Sequence, residues 1–181
     1  MKPVLSRPLR LADLPQRNAT PVRLVPDEGE LEALADRLDL DGLRKVKMEG
    51  TLRPEGADWL LEAMLGATMV QPCRVTTDPV TTRVDEVIRR RYTADPPAPE
   101  GDETAMPEDD TVEPLPAVLD VGAVLEEALS LAVPAYPRAA GAEEIDLAAA
   151  PPGAAPLDDD AVRPFAGLAA LRARMDGADE G

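Results

Sequence analysis

From Lys45 to Arg53 the chain alternates regularly between charged or polar side chains and apolar or small ones. Val46, Met48, Gly50 and Leu52 occupy the even positions, and Lys47, Glu49 and Thr51 occupy the odd positions between them. A period of two is typical of a β-strand with one buried face and one face in water. The segment Pro54–Gly56 then provides a turn signal, so the chain is predicted to fold back into an antiparallel neighbour.

Further extended segments flank this strand on both sides. We predict strands over Leu5–Leu11, Pro21–Val25, Ala57–Leu65, Ala67–Thr77 and Val80–Tyr92. Turn-forming residues separate several of them, including Asp78 and Pro79 before the last strand. Together the segments predict an antiparallel meander, packed on one face by a helix over Asp27–Leu40.

Three helices are predicted from N-caps and from apolar residues at helical spacing. Asp27 is a favourable N-cap, and Glu30 three residues later completes the signature of a capping box. Asp120 caps a second helix, which Pro134 ends. A third, short helix begins near Pro164 and places apolar side chains along one side of residues 163–176.

Charge divides the chain into two unlike parts. Residues 1–94 contain 15 basic and 15 acidic side chains, whereas residues 95–181 contain 4 basic and 20 acidic ones. The whole net charge of −16 therefore lies in the second part, where it repels phosphate backbones and favours basic partners. A solubilising acidic tail is the alternative interpretation.

The segment 95–116 is rich in proline and acidic residues, a composition that buries too little apolar area to offset the entropy of ordering. We therefore predict a disordered loop there.

The strands and helices together predict an α+β fold in one domain over residues 1–181. Its parts are a helix-and-strand block at 5–94, an acidic disordered loop at 95–116, a helix with its proline stop at 117–138, a flexible stretch at 139–162 and a C-terminal helix at 163–176.

The chain contains no histidine and one cysteine. The commonest general base and the commonest transition-metal ligand are therefore missing, and Ser-His-Asp and Cys-His nucleophile arrangements are excluded. A typical zinc site with four nitrogen or sulfur ligands cannot be assembled, and no glycine-rich phosphate loop occurs. We expect no catalytic residues, no bound metal and no cofactor, and hence a protein that is not an enzyme.

Adjacent carboxylates are the remaining candidates for catalysis. They occur at Asp109–Asp110, Glu126–Glu127 and Asp158–Asp160. Acid–base work requires environments that separate the two pKa values, usually by burying one carboxyl group. We expect all three clusters to be hydrated, with a weak divalent-cation site in a hydrolase as the alternative.

Cys73 is followed directly by Arg74, and an adjacent cation lowers the pKa of a thiol and raises its reactivity. The alternative is a small apolar strand residue, since free cysteines are usually buried and inert. The role of Cys73 stays open between these two interpretations.

Two basic clusters interrupt the neutral first part of the chain. Alternate residues of a strand share a face, so Lys45 points with Lys47, and Arg89 points with Arg91. If the two strands are neighbours, these four side chains form a positive patch beside Tyr92 that contacts phosphate. The alternative is an ordinary charged outer face, with cross-strand pairing to Glu49, Asp85 and Glu86.

Three passages of the chain follow one another in a characteristic order. They are Cys73–Val80 before an extended strand, Asp120–Pro134 with its helix and proline stop, and Arg163–Leu171 near the end. In the same order they resemble the C-x-x-C-L-E-P stretch before an outward-turning strand, the D-L-x-x-x-(V/L)-x-E-x-L-x-L-x-x-P helix and the N-P-F-A-x-L-x-x-L terminus of the YceD family of bacteria and plastids, also called domain of unknown function 177. Position 76 departs from the pattern because Thr76 stands where many relatives have a second cysteine.

The resemblance implies a non-enzymatic accessory factor in ribosome biogenesis, for accumulation or processing of large-subunit (23S) rRNA. We expect the acidic half to engage a basic ribosomal protein or rRNA-processing factor, with weak rRNA contact through the basic residues and no binding to DNA. Neither a signal-peptide stretch nor an apolar run near 18 residues occurs, so we expect a cytoplasmic protein without membrane association. The alternative is an acidic adaptor that holds a basic protein without touching RNA.

Overall fold

Seven strands and two α-helices make up the part of the chain that the computed structural model describes, residues 3–95 and 111–142. The strands are β1 (Pro8–Arg10), β2 (Thr20–Leu24), β3 (Gly42–Glu55), β4 (Asp58–Pro72), β5 (Pro79–Thr93), β6 (Val112–Pro114) and β7 (Val118–Asp120), and the helices are α1 (Glu28–Arg37) and α2 (Val121–Ala132). A single 3₁₀ turn at Leu11–Asp13 follows β1. The predicted α+β class is confirmed.

Five strands form the main sheet, in the order β2-β3-β4-β5-β6. Neighbouring strands are antiparallel except β5 and β6, which run parallel. The predicted meander is confirmed by β3, β4 and β5, which follow one another in the sheet as they do in the chain. Strands β1 and β7 pair separately as a short antiparallel ribbon.

Strand β4 is longer than the sequence indicates. The segments predicted as two strands, Ala57–Leu65 and Ala67–Thr77, contribute to one continuous strand. Gly66, which separates the predicted segments, stays in the ladder opposite Lys47 on one side and Asp85 on the other. Because the ladder joins backbone groups, a glycine with a paired neighbour on both sides does not end a strand.

One face of the sheet is covered by aliphatic side chains, and we call it the covered face. The register places Met48 opposite Leu65 and Leu52 opposite Leu61, so these side chains point to the same side. The least exposed side chains of the core include Leu34, Met48, Leu52, Leu61, Leu65, Met69, Leu125 and Leu129, from the sheet and from both helices. Burying each leucine stabilises the fold by about 1.5–3 kcal/mol. The opposite side of the sheet is called the open face.

Helix α1 begins with the predicted capping box. The side chain of Asp27 accepts a hydrogen bond from the backbone N–H of Glu30 at 2.9 Å, and the Glu30 side chain accepts one from the Asp27 N–H at 3.0 Å. Two backbone donors that the helix itself leaves without partners are thereby satisfied. The cap fixes the point at which the chain leaves β2 and crosses the sheet.

Helix α2 begins after Asp120, which also holds the N-terminal segment. Its carboxylate accepts hydrogen bonds from the Ser6 hydroxyl at 2.6 Å, from the Arg7 N–H at 2.7 Å and from the Gly122 N–H at 3.0 Å. Burial opposes ionisation of Asp120, but these hydrogen bonds outweigh it and lower the pKa. A Cβ on Gly122 would lie 2.6 Å from the Leu5 carbonyl oxygen, so only glycine permits this close approach.

Strand β6 lies inside the segment 95–116 that the sequence predicts as a loop. The Arg91 N–H donates to the Thr111 carbonyl at 2.8 Å, and the Leu115 N–H donates to the Thr93 carbonyl at 2.8 Å. Leu115 also packs against the core. These backbone bonds place residues 111–115 beside β5. Residues 96–110 of the predicted loop, residues 143–162 of the predicted flexible stretch and the predicted helix at 163–176 lie outside the described residues.

Candidate functional site

The open face of the sheet carries a network of ion pairs across its strands. Lys47 pairs with Glu49 at 2.8 Å, and Arg23 of the neighbouring strand reaches the same carboxylate at 3.2 Å. Further along the face, Arg53 lies 3.4 Å from Glu62. Exposed pairs of this kind each contribute about 0–1 kcal/mol, so the network sets the charge pattern more than the stability.

The structure separates the two basic clusters that the sequence singles out. β4 lies between β3 and β5, so the condition that these strands are neighbours is not met. Lys47 lies opposite Gly66 of β4 and Arg91 lies opposite Leu60, a separation of about 20 Å along the strand. Tyr92 is 1% exposed on the covered face, so the predicted patch beside it does not form.

Arg89 and Arg91 are engaged at their own end of the open face. Arg91 lies 2.8 Å from Glu55 and 3.8 Å from Asp58, and Arg89 lies 3.8 Å from Glu62. Each of these arginines therefore faces at least one carboxylate, but none of these carboxylates is among the Glu49, Asp85 and Glu86 that the alternative interpretation named. This end of the sheet has little excess positive charge.

A different basic cluster forms around Lys45 and Lys47. The residues lining a hollow of about 730 Å³ at this end of the open face are Arg23, Val25, Lys45, Val46, Lys47, Thr68 and Arg83. Four of the seven are cationic and none is acidic. We call this site the basic hollow.

A β-bulge builds one wall of the basic hollow. The register between β3 and β4 shifts by one residue between Arg44 and Lys47, and Lys45 has a positive φ of 54°. A bulge inserts an extra residue and re-aims the neighbouring side chains. Val46 therefore points into the core, where it is buried, while Lys45 and Lys47 line the hollow on either side of it.

Gly66 makes room for the guanidinium of Arg83 in the basic hollow. A Cβ on Gly66 would overlap Nη2 of Arg83 and lie 3.0 Å from Oδ1 of Asp85. Asp85 holds the guanidinium through both oxygens, and Arg83 Nη1 also lies 3.4 Å from the carbonyl oxygen of Lys45. The absence of a side chain at Gly66 thus lets Arg83 lie flat across β4 and reach the bulge.

The charges around the basic hollow do not cancel. Glu49 forms ion pairs with both Arg23 and Lys47, and Asp85 forms one with Arg83. Two carboxylates therefore face the four cationic side chains of the hollow. The hydrogen bond from Lys47 lowers the pKa of Glu49, and that from Arg83 lowers the pKa of Asp85. Both carboxylates are therefore ionised at neutral pH, and the hollow, with four cationic side chains against two carboxylates, retains positive charge suited to a phosphate group.

Sequence reasoning identified Lys45 and Lys47 but missed Arg23 and Arg83. Arg23 occupies an outward position in β2, which the alternation of buried and exposed residues in that strand indicates. Arg83 belongs to β5, and it reaches the hollow only by crossing β4 at Gly66. Its contribution depends on the order of strands, for which the sequence has no local signal.

Cys73 lies at the end of β4, in the loop that leads to β5, and is buried. Its sulfur accepts hydrogen bonds from the backbone N–H groups of Val75 and Thr76 at 3.4 Å and of Ala139 at 3.3 Å. The Thr76 hydroxyl and these N–H groups lower the pKa of Cys73 to about 6, although burial opposes the shift. Thr76, three residues after Cys73, thus contacts the sulfur both through its backbone N–H and through its hydroxyl.

The lowered pKa of Cys73 predicts a pH dependence of stability. Between pH 6 and 9.0 the unfolded chain binds a proton that the folded thiolate lacks. The free energy of unfolding is therefore expected to rise with pH through this window, with the gain complete above it and lost below it. Urea denaturation at both ends of the window measures the slope, and Cys73→Ser is expected to flatten it. An unchanged slope in the serine variant would contradict the assignment.

The structure places Glu126 and Glu127 in different environments, which corrects the expectation that both are hydrated. The Glu126 side chain is 13% exposed and lies 2.6 Å from Nη1 of Arg37, whereas Glu127 is 56% exposed and lies 3.1 Å from Nη2 of Arg90. The two carboxylates hold separate partners and do not converge on a common point. Asp109–Asp110 and Asp158–Asp160 lie outside the described residues.

A second depression, of about 520 Å³, lies between β5 and α2. Its charged lining includes Arg90, which pairs with Glu113 and with Glu127.

Over residues 3–95 and 111–142, no group of three or more Cys, Asp or Glu side chains could hold a metal ion. Within the same ranges, no helix is long and apolar enough to cross a bilayer.

One family model matches the chain, over residues 61–172, and its description is "Large ribosomal RNA subunit accumulation protein YceD". The match spans most of β4, the Cys73 loop, β5 and α2. No curated protein and no solved structure matches the chain.

Proposed function

The chain belongs to the YceD family of large ribosomal RNA subunit accumulation proteins, and from this we propose that it is a non-enzymatic accessory factor for accumulation or processing of large-subunit (23S) rRNA. The observation that carries the proposal within this chain is the basic hollow, with four cations on an otherwise charge-balanced sheet face. A site of this kind suits a phosphodiester backbone, because it presents several donors and an excess of positive charge. The function does not require a catalytic group.

Contact with rRNA is proposed to be local and weak. Lys45 and Lys47 bind phosphate oxygens together with Arg23 and Arg83. Arg89 and Arg91, which are paired with carboxylates at the other end of the face, form at most a weaker secondary contact. A phosphate has to compete with Glu49 and Asp85 for these cations, which lowers the affinity. Displacing few counterions gives a shallow dependence on salt concentration.

The acidic part of the chain is proposed to engage a basic protein, either a ribosomal protein or an rRNA-processing factor. Residues 95–181 carry the whole net charge of −16 and repel RNA, so their partner differs from that of the basic hollow. This division would let one molecule hold a basic protein beside an rRNA segment. Partner binding is expected to weaken when the acids of segment 96–110 are changed to their amides, a change that leaves β6 in place.

The first experiment is the ratio of large- to small-subunit rRNA in cells that lack this protein. We expect a selective fall in large-subunit rRNA, restored by the wild-type chain. A variant that combines Lys45→Ser, Lys47→Ser and Arg83→Ser is expected to restore the ratio only in part, because it removes three of the four cations of the hollow. The matched control is Arg74→Ser, which removes one exposed cation outside the hollow.

The outcomes separate the proposal from its rival. Full rescue by the hollow variant, combined with failure of the chain whose acidic segment is neutralised, would favour the acidic adaptor that holds a basic protein without RNA contact. An rRNA ratio that stays unchanged in cells lacking the protein would contradict both forms of the ribosomal proposal. Gly66→Ala refines the test, since it displaces the Arg83 guanidinium while every charge is retained.

A further inference from the structure

Most of the outer edge of β5 has no neighbouring strand among the described residues. β6 pairs with β5 only at Arg91, Tyr92 and Thr93, although β5 begins at Pro79. An uncovered edge presents backbone donors and acceptors that can pair with an added strand. A strand added along the uncovered part would lie end to end with β6.

The backbone groups that face this edge belong to odd-numbered residues. The Arg91 N–H donates to, and the Thr93 carbonyl accepts from, the residues that flank β6, so both groups point away from β4. The register between β4 and β5 is continuous, and the direction therefore alternates without a break along β5. Asp85, Val87 and Arg89 accordingly present their N–H and C=O groups to the uncovered edge.

The depression between β5 and α2 lies directly beside this edge, on the covered face. Its lining includes Ile88 of β5 and Leu131 of α2, which is 78% exposed. On the open face the side chain of Val87 is 71% exposed. Successive side chains of an added strand would therefore pack against apolar surface on both faces. We call the uncovered edge at Asp85–Arg89 together with this depression the edge groove.

Carboxylates outnumber cations on the covered-face side of the edge groove. Arg90 is the cation there, its side chain is 15% exposed, and it is already paired with Glu113 and Glu127. Arg89 directs its side chain to the open face, 3.8 Å from a carboxylate of β4. Glu86 is exposed in the groove and forms no ion pair within residues 3–95 and 111–142. The groove is therefore complementary to a cationic side chain.

We propose that the edge groove binds an extended basic segment of another protein, which adds one strand to β5. The inference rests on the proposed function, because the segment belongs to the basic partner protein. Its backbone pairs with Asp85, Val87 and Arg89. A lysine or arginine lies opposite Glu86, and an aliphatic side chain two residues away lies opposite Ile88, against α2. Backbone pairing supplies affinity in such a complex, and the alternate side chains supply selectivity.

A second copy of the chain fits the edge groove less well than a basic segment does. Antiparallel pairing of two β5 strands about Val87 would set residues 81–83 of one copy against residues 91–93 of the other, where β6 already lies. Registers nearer to the start of β5 avoid β6, but they set Glu86 opposite an uncharged residue of the second copy. Charge complementarity therefore favours a basic partner.

Binding of a synthetic peptide to the full chain tests the inference. The probe is fluorescein-labelled Lys-Thr-Leu-Val-Lys-Val-Leu-Thr-Lys, which reads the same in both directions and so fits either orientation of the added strand. We expect saturable binding by fluorescence anisotropy, together with protection of the Asp85, Val87 and Arg89 amides from hydrogen exchange. The same peptide N-methylated on its five central residues is the control for backbone pairing, and it is expected not to bind.

A charge exchange tests the position of the peptide in the groove. Glu86→Lys is expected to weaken binding of the probe about tenfold, because it sets two like charges opposite each other. A peptide whose central lysine is replaced by glutamate is expected to bind this variant better than the wild-type chain. The matched control is Glu32→Lys, the same charge change at an exposed position of α1 outside the groove, which is expected to leave binding unchanged.

Several results would overturn the inference. They are no saturable binding, equal binding of the lysine-centred and glutamate-centred peptides to the wild-type chain, and equal weakening by Glu86→Lys and Glu32→Lys. Protection of the Asp85, Val87 and Arg89 amides in the free chain would also overturn it, as would a dimer in sedimentation equilibrium that the probe does not dissociate. None of these results bears on rRNA. An unchanged rRNA ratio in cells lacking the protein would contradict the proposed function while peptide binding persists.

Discussion

Replacing Gly50 with alanine is expected to lower the free energy of unfolding by about 3 kcal/mol, the upper end of the usual cost of overpacking. A Cβ at this position would lie 2.6 Å from Cβ of Ala63 and would overlap the Glu62 carbonyl oxygen and the Ala63 Cα. Two of these three atoms belong to the backbone of β4, which the ladder with β3 holds in place. The strands must separate locally to admit the methyl group. Urea denaturation followed by circular dichroism measures the loss.

Gly29→Ala is the matched control for this substitution. Gly29 lies in the first turn of α1, and a Cβ there would meet only Oδ1 of Asp27, at an ordinary contact distance of 3.6 Å. Alanine is favoured over glycine in a helix by about 0.5–1 kcal/mol, so this variant is expected to gain stability. The same chemical change therefore has opposite effects at the two positions. A Gly50→Ala variant as stable as the wild type would refute the close approach of β3 and β4.

Glu126→Ala is expected to cost about 2 kcal/mol, because it removes a charged acceptor that bonds both a guanidinium and a backbone N–H. Oε1 of Glu126 lies 2.6 Å from Nη1 of Arg37 on α1, and Oε2 accepts a hydrogen bond from the Val4 N–H at 2.7 Å. One carboxylate thus joins α2 to α1 and to the N-terminal segment. Its loss leaves the Arg37 guanidinium and the Val4 N–H without this acceptor. Thermal and urea unfolding of the variant measure the effect.

The neighbouring residue provides the control. Glu127→Ala changes the same helix by the same side-chain truncation, so the effect on helix propensity is matched. Glu127 is largely exposed, and its partner Arg90 keeps the ion pair with Glu113, so a loss below about 1 kcal/mol is expected. Equal losses in the two variants would show that Glu126 does not join the three segments.

These stability variants also calibrate the tests of function. Gly50→Ala lies on the covered face, away from the basic hollow, and is expected to impair rRNA accumulation only through the amount of folded protein. The hollow variant is expected to remain folded, because its three side chains are exposed and make pairs of low energy. Comparing rRNA ratios at equal levels of folded protein separates loss of fold from loss of contact.

Local chemistry made several elements predictable. Asp27 and Glu30 specify the start of α1, Asp120 specifies the start of α2, and the alternation around Met48 specifies β3. Each signal acts between residues only a few positions apart, so it can be recognised without knowledge of the rest of the fold. The prediction of two strands where β4 is continuous failed because Gly66 resembles a break in sequence while the two neighbouring strands hold it in the ladder.

The candidate site was predictable only in part. Lys45 and Lys47 stand out as a basic cluster in the sequence, and the structure places both in the hollow. The bulge at Lys45 contains no glycine that would indicate it in the sequence. The register shift follows from how β3 and β4 align along their whole length. Glu126 resembles a hydrated acid in the sequence, yet its burial depends on where α1 packs.

The sequence by itself determined the starts of both helices, the strands β2, β3 and β5, the charge division between residues 1–94 and 95–181, and the absence of histidine chemistry. The tertiary structure decided which charges meet. Insertion of β4 between β3 and β5 separates Arg91 from Lys47 and brings Arg83 across Gly66 instead. The physical reason is the distance along the chain over which each signal acts. Helix caps and strand alternation depend on residues a few positions apart. Strand order depends on the free energy of the whole core, so no pattern in the sequence around two residues indicates that the fold brings them together.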